Sequence, residues 1–143
     1  MVRRMTYRDI ADVMRIDAGQ WCSALVRQDL DAYARDLDNL RGVVVETKQG
    51  IAGFALLSYP RRELSIDGLL VAVACRRKGI GTELMRYILT EASRRNKRQV
   101  VTTVHESNLA AQLFFSKSGL DCSCVLKKGS RHLDTYLMWK NLA

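Results

Sequence analysis

The 143 residues, 48% hydrophobic and 27% charged, are ordinary for a folded globule and long enough for one core, so residues 1–143 are read as a single domain. No apolar run approaches the roughly eighteen residues a membrane helix needs, which excludes a spanning protein and any membrane partner of that kind. The net charge of +8, from 23 Lys and Arg against 15 Asp and Glu, favours an anionic partner without separating nucleic acid, a phosphorylated cofactor and an acidic protein surface.

The first residues, MVRRMTYRDIADV, lack the apolar region and small-residue cleavage site of a secretory signal, so a cytoplasmic location is expected. Thr6 is placed to cap a helix over Asp9–Asp17, with Asp9 completing an approximate capping box and Ile10, Val13, Met14 and Asp17 forming its face. A second helix is expected over Ser23–Leu37. Gly42–Glu46 and Ile51–Tyr59 read as two strands joined by the turn Lys48-Gln49-Gly50. Leu64–Val73 reads as a further strand, and its apolar end LLVAV predicts a central position buried on both faces.

Gly79–Ser93 carries the clearest helical stripe, through Ile80, Leu84, Tyr87 and Ile88, broadened by Met85 and Leu89. Gln99–Val104 is a β-branched strand, and Asn108–Ser116 a helix with Asn108 at its N-cap and Gly119 beyond its end. Extended segments near Asp121–Lys128 and His132–Lys140 finish the chain around a turn at Lys128–Arg131. A strand, helix and strand in succession form a right-handed crossover in nearly all proteins, which predicts that 64–73 and 99–104 are parallel neighbours. The final strand could pair with another subunit, and both monomer and homodimer stay open.

The segment CRRKGIGTELMRY, Cys75 to Tyr87, holds the most specific signal. Arg76 to Gly81 reads R-x-x-G-x-G directly after an apolar strand and directly before an amphipathic helix. Backbone N–H groups at a helix start hold phosphate, and glycine lets the ligand approach. Arg76, Arg77 and Lys78 lie at the positive end of that helix, where structure alone disfavours cations and an anionic ligand accounts for them. A dinucleotide fingerprint lacks its third glycine here, and a Walker loop lacks its Gly-Lys-Ser/Thr ending. The four cysteines, Cys22, Cys75, Cys122 and Cys124, do not make a zinc spacing with the two histidines, and His105-Glu106 stops short of H-E-x-x-H, so no metal is expected.

The order strand, R-x-x-G-x-G, helix, strand, S-N-x-A, helix, Gly resembles the GNAT superfamily of acyl-coenzyme A-dependent N-acetyltransferases, most closely its branch acting on protein N-termini, including ribosomal proteins. LLVAVACRRKGIGTELMRYIL and ESNLAAQLFFSKSGL carry the resemblance, which runs through nearly the whole chain. It implies an α/β fold with a mixed, mostly antiparallel central sheet, a splayed parallel strand pair and flanking helices. It also implies acetyl-coenzyme A as donor substrate. The backbone of Leu69 and Val71 would bond the pantetheine arm, and the amides from Arg77 through Lys78, Gly79, Ile80 and Gly81 to Thr82 would wrap the diphosphate. Arg76 takes the motif's Arg/Gln position. Asn108 matches the asparagine beside the pantetheine, although its cap role alone would suffice.

The chain departs from that branch twice. The tyrosine seven residues after the asparagine is replaced by Phe115, which can line the cofactor but has no proton to give, and the glutamate five residues before it by Thr103. Transfer to an amine needs a base for the amine and an acid for the leaving thiolate. Glu63, Ser65 and Asp67 share one strand face by alternation. Asp67 is the preferred base, because a carboxylate beside LLVAV is costly unless paired or functional; Glu63 and His105 are the other candidates. Either the thiolate leaves without a side-chain acid, which a thiol tolerates, or Tyr136 is the candidate acid, while Tyr87 on the helix stripe reads as core.

An acyl-coenzyme A-binding protein without catalysis would keep the loop and lose the acid and base, and stays as the alternative reading. Arg27, Arg61, Arg62, Arg131 and His132 could line a site for an acidic peptide or equally meet the cofactor's phosphates; it is mainly the family resemblance that implies a peptide or protein amine as acceptor over a small amine. Aromatic residues, 7% of the chain, do not alternate with basic ones on any strand, so nucleic acid is not an expected partner.

Overall fold

The computed structural model describes residues 1–18, 41–126 and 135–142. The helix expected over Ser23–Leu37, Cys22, Arg27 and the turn with Arg131 and His132 lie outside the described residues. Two compact units divide the chain, Met1–Leu57 with Gly68–Tyr87, and Ser58–Asp67 with Ile88–Ala143. Among the described residues, hydrogen-bonded strands run in the order β1-β2-β3-β4-β5-β7-β6. Their ranges are β1 Val2–Arg4, β2 Gly42–Thr47, β3 Gly50–Ser58, β4 Glu63–Val71, β5 Gln99–His105, β6 Asp121–Leu126 and β7 Thr135–Asn141. Strands β4 and β5 pair in parallel, and β1–β2, β2–β3, β5–β7 and β6–β7 are antiparallel. This is the mixed, mostly antiparallel α/β sheet that the sequence implied.

In the first unit, Thr6 donates its backbone N–H and its hydroxyl to the Asp9 carboxylate, at 2.8 and 3.2 Å, and this starts a 3-10 turn, Tyr7–Asp9, that runs into α1, Ile10–Ala18. Arg3 of β1 clamps the same carboxylate with its two terminal guanidinium nitrogens, at 2.8 and 2.9 Å, and reaches Glu46 of β2 through Nε at 2.8 Å. The Arg3 hydrogen bonds hold the Asp9 carboxyl below its ordinary range, and the Thr6 amide adds to this against the opposing effect of burial. The core joins Met5, Val13, Val44, Phe54 and Leu56, with Ile10, Ile16, Ile51 and Leu70 against it. Each fully buried side chain of this kind stabilises by about 1.5–3 kcal/mol relative to exposure. Met14, expected on the buried face, is 38% exposed, because α1 turns Ile16 toward the core instead.

Strand β4 is central in the order, but its apolar end is only half-buried. Its ladder with β5 runs from Glu63↔Gln99 to Ile66↔Thr102 and stops, and the chain leaves the strand at Ala72 for a 3-10 turn, Val73–Cys75. Val73 is therefore 63% exposed rather than buried, and the fully packed positions are Leu64 and Ile66. Helix α2, Ile80–Arg94, buries Ile80, Leu84, Met85, Ile88 and Ala92, while Tyr87 is half-buried. It ends in a left-handed Asn96 (φ 57°), with Lys97 N–H on the Ala92 carbonyl at 2.9 Å and Asn96 N–H on that of Ser93 at 3.1 Å, which satisfies its last carbonyls.

In the second unit, β7 pairs with β5 along one edge and β6 along the other. The final strand is thus internal, and its edges are not open to another subunit as the sequence reading allowed. Helix α3, Leu109–Lys117, begins at Asn108, whose Oδ1 accepts the Ala111 amide at 3.1 Å, and closes on the left-handed Gly119 (φ 95°).

Candidate cofactor loop and catalytic face

The loop between β4 and α2 turns on two left-handed residues, Arg77 (φ 63°) and Gly79 (φ 80°), with Lys78 between them. Alternating backbone handedness aims successive N–H groups toward one side, which forms an anion-binding concavity. The non-glycine Arg77 is in a region that most side chains avoid. Helix α2 makes its first internal bond from Glu83 N–H to the Gly79 carbonyl, at 2.9 Å. The amides of Ile80, Gly81 and Thr82 are therefore its unspent donors, and Gly79 has no side chain with which to cap them. Arg76, Arg77, Lys78 and Gly79 are exposed, and Arg76 reaches back to the Val71 carbonyl with Nε at 3.4 Å. A helix start with free amides and three adjacent cations is an arrangement that an anionic ligand stabilises. Leu69 and Val71 are half-buried on the part of β4 that continues past the end of the β5 ladder.

In the second unit, register decides which candidate catalytic groups share a face. Residues directly opposite one another project together, so Glu63, Ser65 and, by alternation, Asp67 stand with Gln99, Val101, Thr103 and His105 of β5. On β7 the same face carries Asn141, Trp139, Leu137 and Thr135. Tyr136 is opposite Val104 and projects from the other face. The structure thus brings Glu63, Asp67 and His105 to one side of the sheet and leaves Tyr136 off it.

Asp67 is exposed, and its Oδ1 accepts the Ser65 hydroxyl at 2.9 Å. The burial cost that singled it out from sequence therefore does not arise. Its second oxygen makes no hydrogen bond to any described residue. His105 is exposed at the end of β5, with Nδ1 at 2.8 Å from the Ser107 hydroxyl and accepting the Ser107 amide at 3.5 Å. A backbone N–H only donates, so Nδ1 is an acceptor and the neutral ring carries its proton on Nε2. Asn108 spends Oδ1 on the helix cap and keeps its amide hydrogens. Gln112 ties this corner, donating Nε2 to the carbonyls of His105 at 3.2 Å and Glu106 at 3.0 Å. Phe115 is only 6% exposed and meets Phe114 edge-on, with ring centroids 5.2 Å apart. Ser107 and Gln112 were not singled out from sequence, although Gln112, four residues after the N-cap, has the spacing of a side chain on the same helix face.

Among the described residues no group of three or more His, Cys, Asp or Glu could hold a metal ion, and no helix is long and apolar enough to cross a membrane. The sequence profile of the acetyltransferase (GNAT) family matches residues 7–120. No curated protein matches the chain significantly. Among solved structures, Ard1 from Thermoplasma volcanium is 24% identical, with TM-score 0.87 over 100% of this chain and 97% of that one. The ribosomal-protein-S18-alanine N-acetyltransferase from Escherichia coli is 15% identical, with TM-score 0.84 over 99% and 92%. The protein yncA from Salmonella typhimurium, solved with acetyl-CoA as its cofactor, is 21% identical, with TM-score 0.78 over 100% and 94%. At these identities the likeness is one of fold.

Proposed function

We propose that this chain, which belongs to the acetyltransferase (GNAT) family, transfers an acetyl group from acetyl-coenzyme A to a primary amine by direct attack in a ternary complex. The observation that carries the reading is the start of α2, which has no side-chain cap at Gly79 and follows left-handed Arg77 and Gly79 in a loop with three exposed cations, Arg76, Arg77 and Lys78. In this reading the amides from Arg77 to Thr82 hold the diphosphate and Arg76 adds charge beside it. The backbone of Leu69 and Val71 takes the pantetheine arm, and it is the family resemblance that adds Asn108 and Phe115 to the donor's contacts. Residues 1–143 act as one acyltransferase domain.

The amine must lose a proton as it attacks the thioester carbon, and the departing thiolate must gain one. Asp67 serves as the base through the oxygen that Ser65 does not engage, with Glu63 on the same face as a second carboxylate. His105, protonated on Nε2 when neutral, serves as a hydrogen-bond donor. Tyr136 projects from the opposite face, so the thiolate takes its proton from solvent, which a thiol leaving group tolerates.

A peptide or protein N-terminal amine is the favoured acceptor. The similar fold of an enzyme acting on ribosomal protein S18 supports this reading, and so do the exposed Arg61 and Arg62, which suit an acidic peptide better than a polyamine. Phe115 and Thr103, at positions where the related branch has its acid and base, favour a second reading, an acyl-coenzyme A-binding protein without catalysis. Calorimetric titration with acetyl-coenzyme A, paired with thiol release on adding peptide and small amines, tests both. Binding with thiol release on peptides is the expected result. Binding without release across the panel leaves the second reading, and absence of binding overturns both.

A further inference from the structure

Gly53 is in β3, buried, and its backbone is not left-handed, so conformation does not demand a glycine there. Space does. A Cβ on Gly53 would fall 2.9 Å from the Leu70 carbonyl oxygen, 3.1 Å from Ile80 Cγ2 and 3.5 Å from Val71 Cα, all within the first unit. The first distance is shorter than packed carbon and oxygen atoms adopt, and neither near neighbour gives way easily. One is strand backbone, held where Ala72 N–H bonds the Ala52 carbonyl at 2.8 Å; the other is a buried β-branched side chain at the first position of α2.

We infer that Gly53 is a positioning residue for the acyl donor: its missing side chain lets Ile80 seat on the sheet and so fixes where the free amides of Ile80, Gly81 and Thr82 meet the diphosphate. The same vacancy lets the end of β4, Leu70 and Val71, lie close against β3. A methyl group at this point lifts the start of α2 or pushes the end of β4 aside. Either displacement moves groups that contact the donor, while Gly53 itself is one layer away from it. The inference rests on the reading of Arg76–Thr82 as the donor loop.

Gly68 supplies an internal control, because a Cβ there meets only the Leu56 side chain, at 3.7 to 4.0 Å, which is ordinary contact. The experiment measures coenzyme A affinity by calorimetry, steady-state KM values for acetyl-coenzyme A and for the amine, and thermal stability, in wild type, Gly53→Ala and Gly68→Ala. A misplacement of about 1 Å at a positioned site can cost large factors, so Gly53→Ala is expected to lose about tenfold or more in coenzyme A affinity. Its KM for acetyl-coenzyme A rises accordingly, while kcat and the amine KM stay within about twofold, a split that general destabilisation does not produce. Gly68→Ala keeps wild-type affinity. If wild type does not bind coenzyme A, the donor-loop reading fails and this inference with it. If wild type binds and Gly53→Ala binds equally, the inference alone is overturned. Should Gly53→Ala not fold, Ile80→Ala removes the anchor from the other side of the same contact, and unchanged coenzyme A affinity in that variant overturns the inference equally.

Discussion

The Ser107 hydroxyl lies 2.8 Å from Nδ1 of His105, and the Ser107 backbone amide points at the same nitrogen from 3.5 Å. Two donors on one ring nitrogen leave the neutral imidazole with its proton on Nε2. Nitrogen-15 NMR of the side chain is expected to show Nε2–H as the dominant neutral tautomer. In Ser107→Ala only the long amide contact remains, so both tautomers become populated. A dominant Nδ1–H form in wild type would reverse the role assigned to His105 from donor to base.

Asp67→Asn keeps the hydrogen bond from Ser65 and removes the proton acceptor. A positioned general base contributes typically 10²–10⁴-fold, so kcat is expected to fall by about 10²-fold while coenzyme A affinity is unchanged. Ser65→Ala, which frees the carboxylate without removing it, should cost only a few-fold. If His105→Ala abolishes turnover and Asp67→Asn does not, the base is misassigned.

Replacing Gly81 by valine adds a branched side chain beside the free amides of α2 and is expected to weaken coenzyme A binding about tenfold or more, with a stability change below about 1 kcal/mol. The binding should also weaken with rising salt, because Arg76, Arg77 and Lys78 are exposed and screened. Titrations at two ionic strengths check both points, and an affinity indifferent to Gly81 would remove the diphosphate from this loop.

The clamp of Arg3 on Asp9 sets a pH dependence of stability. The folded carboxyl titrates below its ordinary value of 3.8, chiefly through the Arg3 hydrogen bonds. The unfolded chain therefore binds the proton first as pH falls, and the stabilisation, complete above about pH 5, is lost on going down through the folded value. Asp9→Asn should cost roughly 2 kcal/mol at neutral pH and flatten the acid limb of the unfolding curve, measured by denaturant titration from pH 7 to pH 2. An acid limb identical to wild type would show that Asp9 is not the group responsible.

Much of this arrangement is legible along the chain. Ile80, Leu84 and Ile88 fall at helical spacing, the β2–β3 turn has its glycine, and a strand, helix and strand in succession dictate the parallel β4–β5 pair. The exceptions follow from information that is not local. Strand β1 is three residues with two arginines, and only pairing with β2 makes it a strand. Tyr136 looked available because the face a strand residue takes depends on register, and a shift of one residue exchanges the faces. Val73 looked buried because its apolar neighbours continue past the point where β4 ends. The Ser107 contact depends on the turn after β5, whose geometry the letters E-S-N do not specify.

The place of β7 between β5 and β6 also sets an order of events on the ribosome. Strands β2 and β3 are neighbours in sequence and can pair as soon as they emerge, early in synthesis and with little loop entropy to overcome. Strand β5 appears with one of its two edges unmatched, and α3 and β6 follow before β7 arrives to close it. The half of the protein that carries Asp67, His105 and Asn108 is therefore the half that finishes last, and any delay near residues 135–141 prolongs the time for which the edge of β5 is open to other chains.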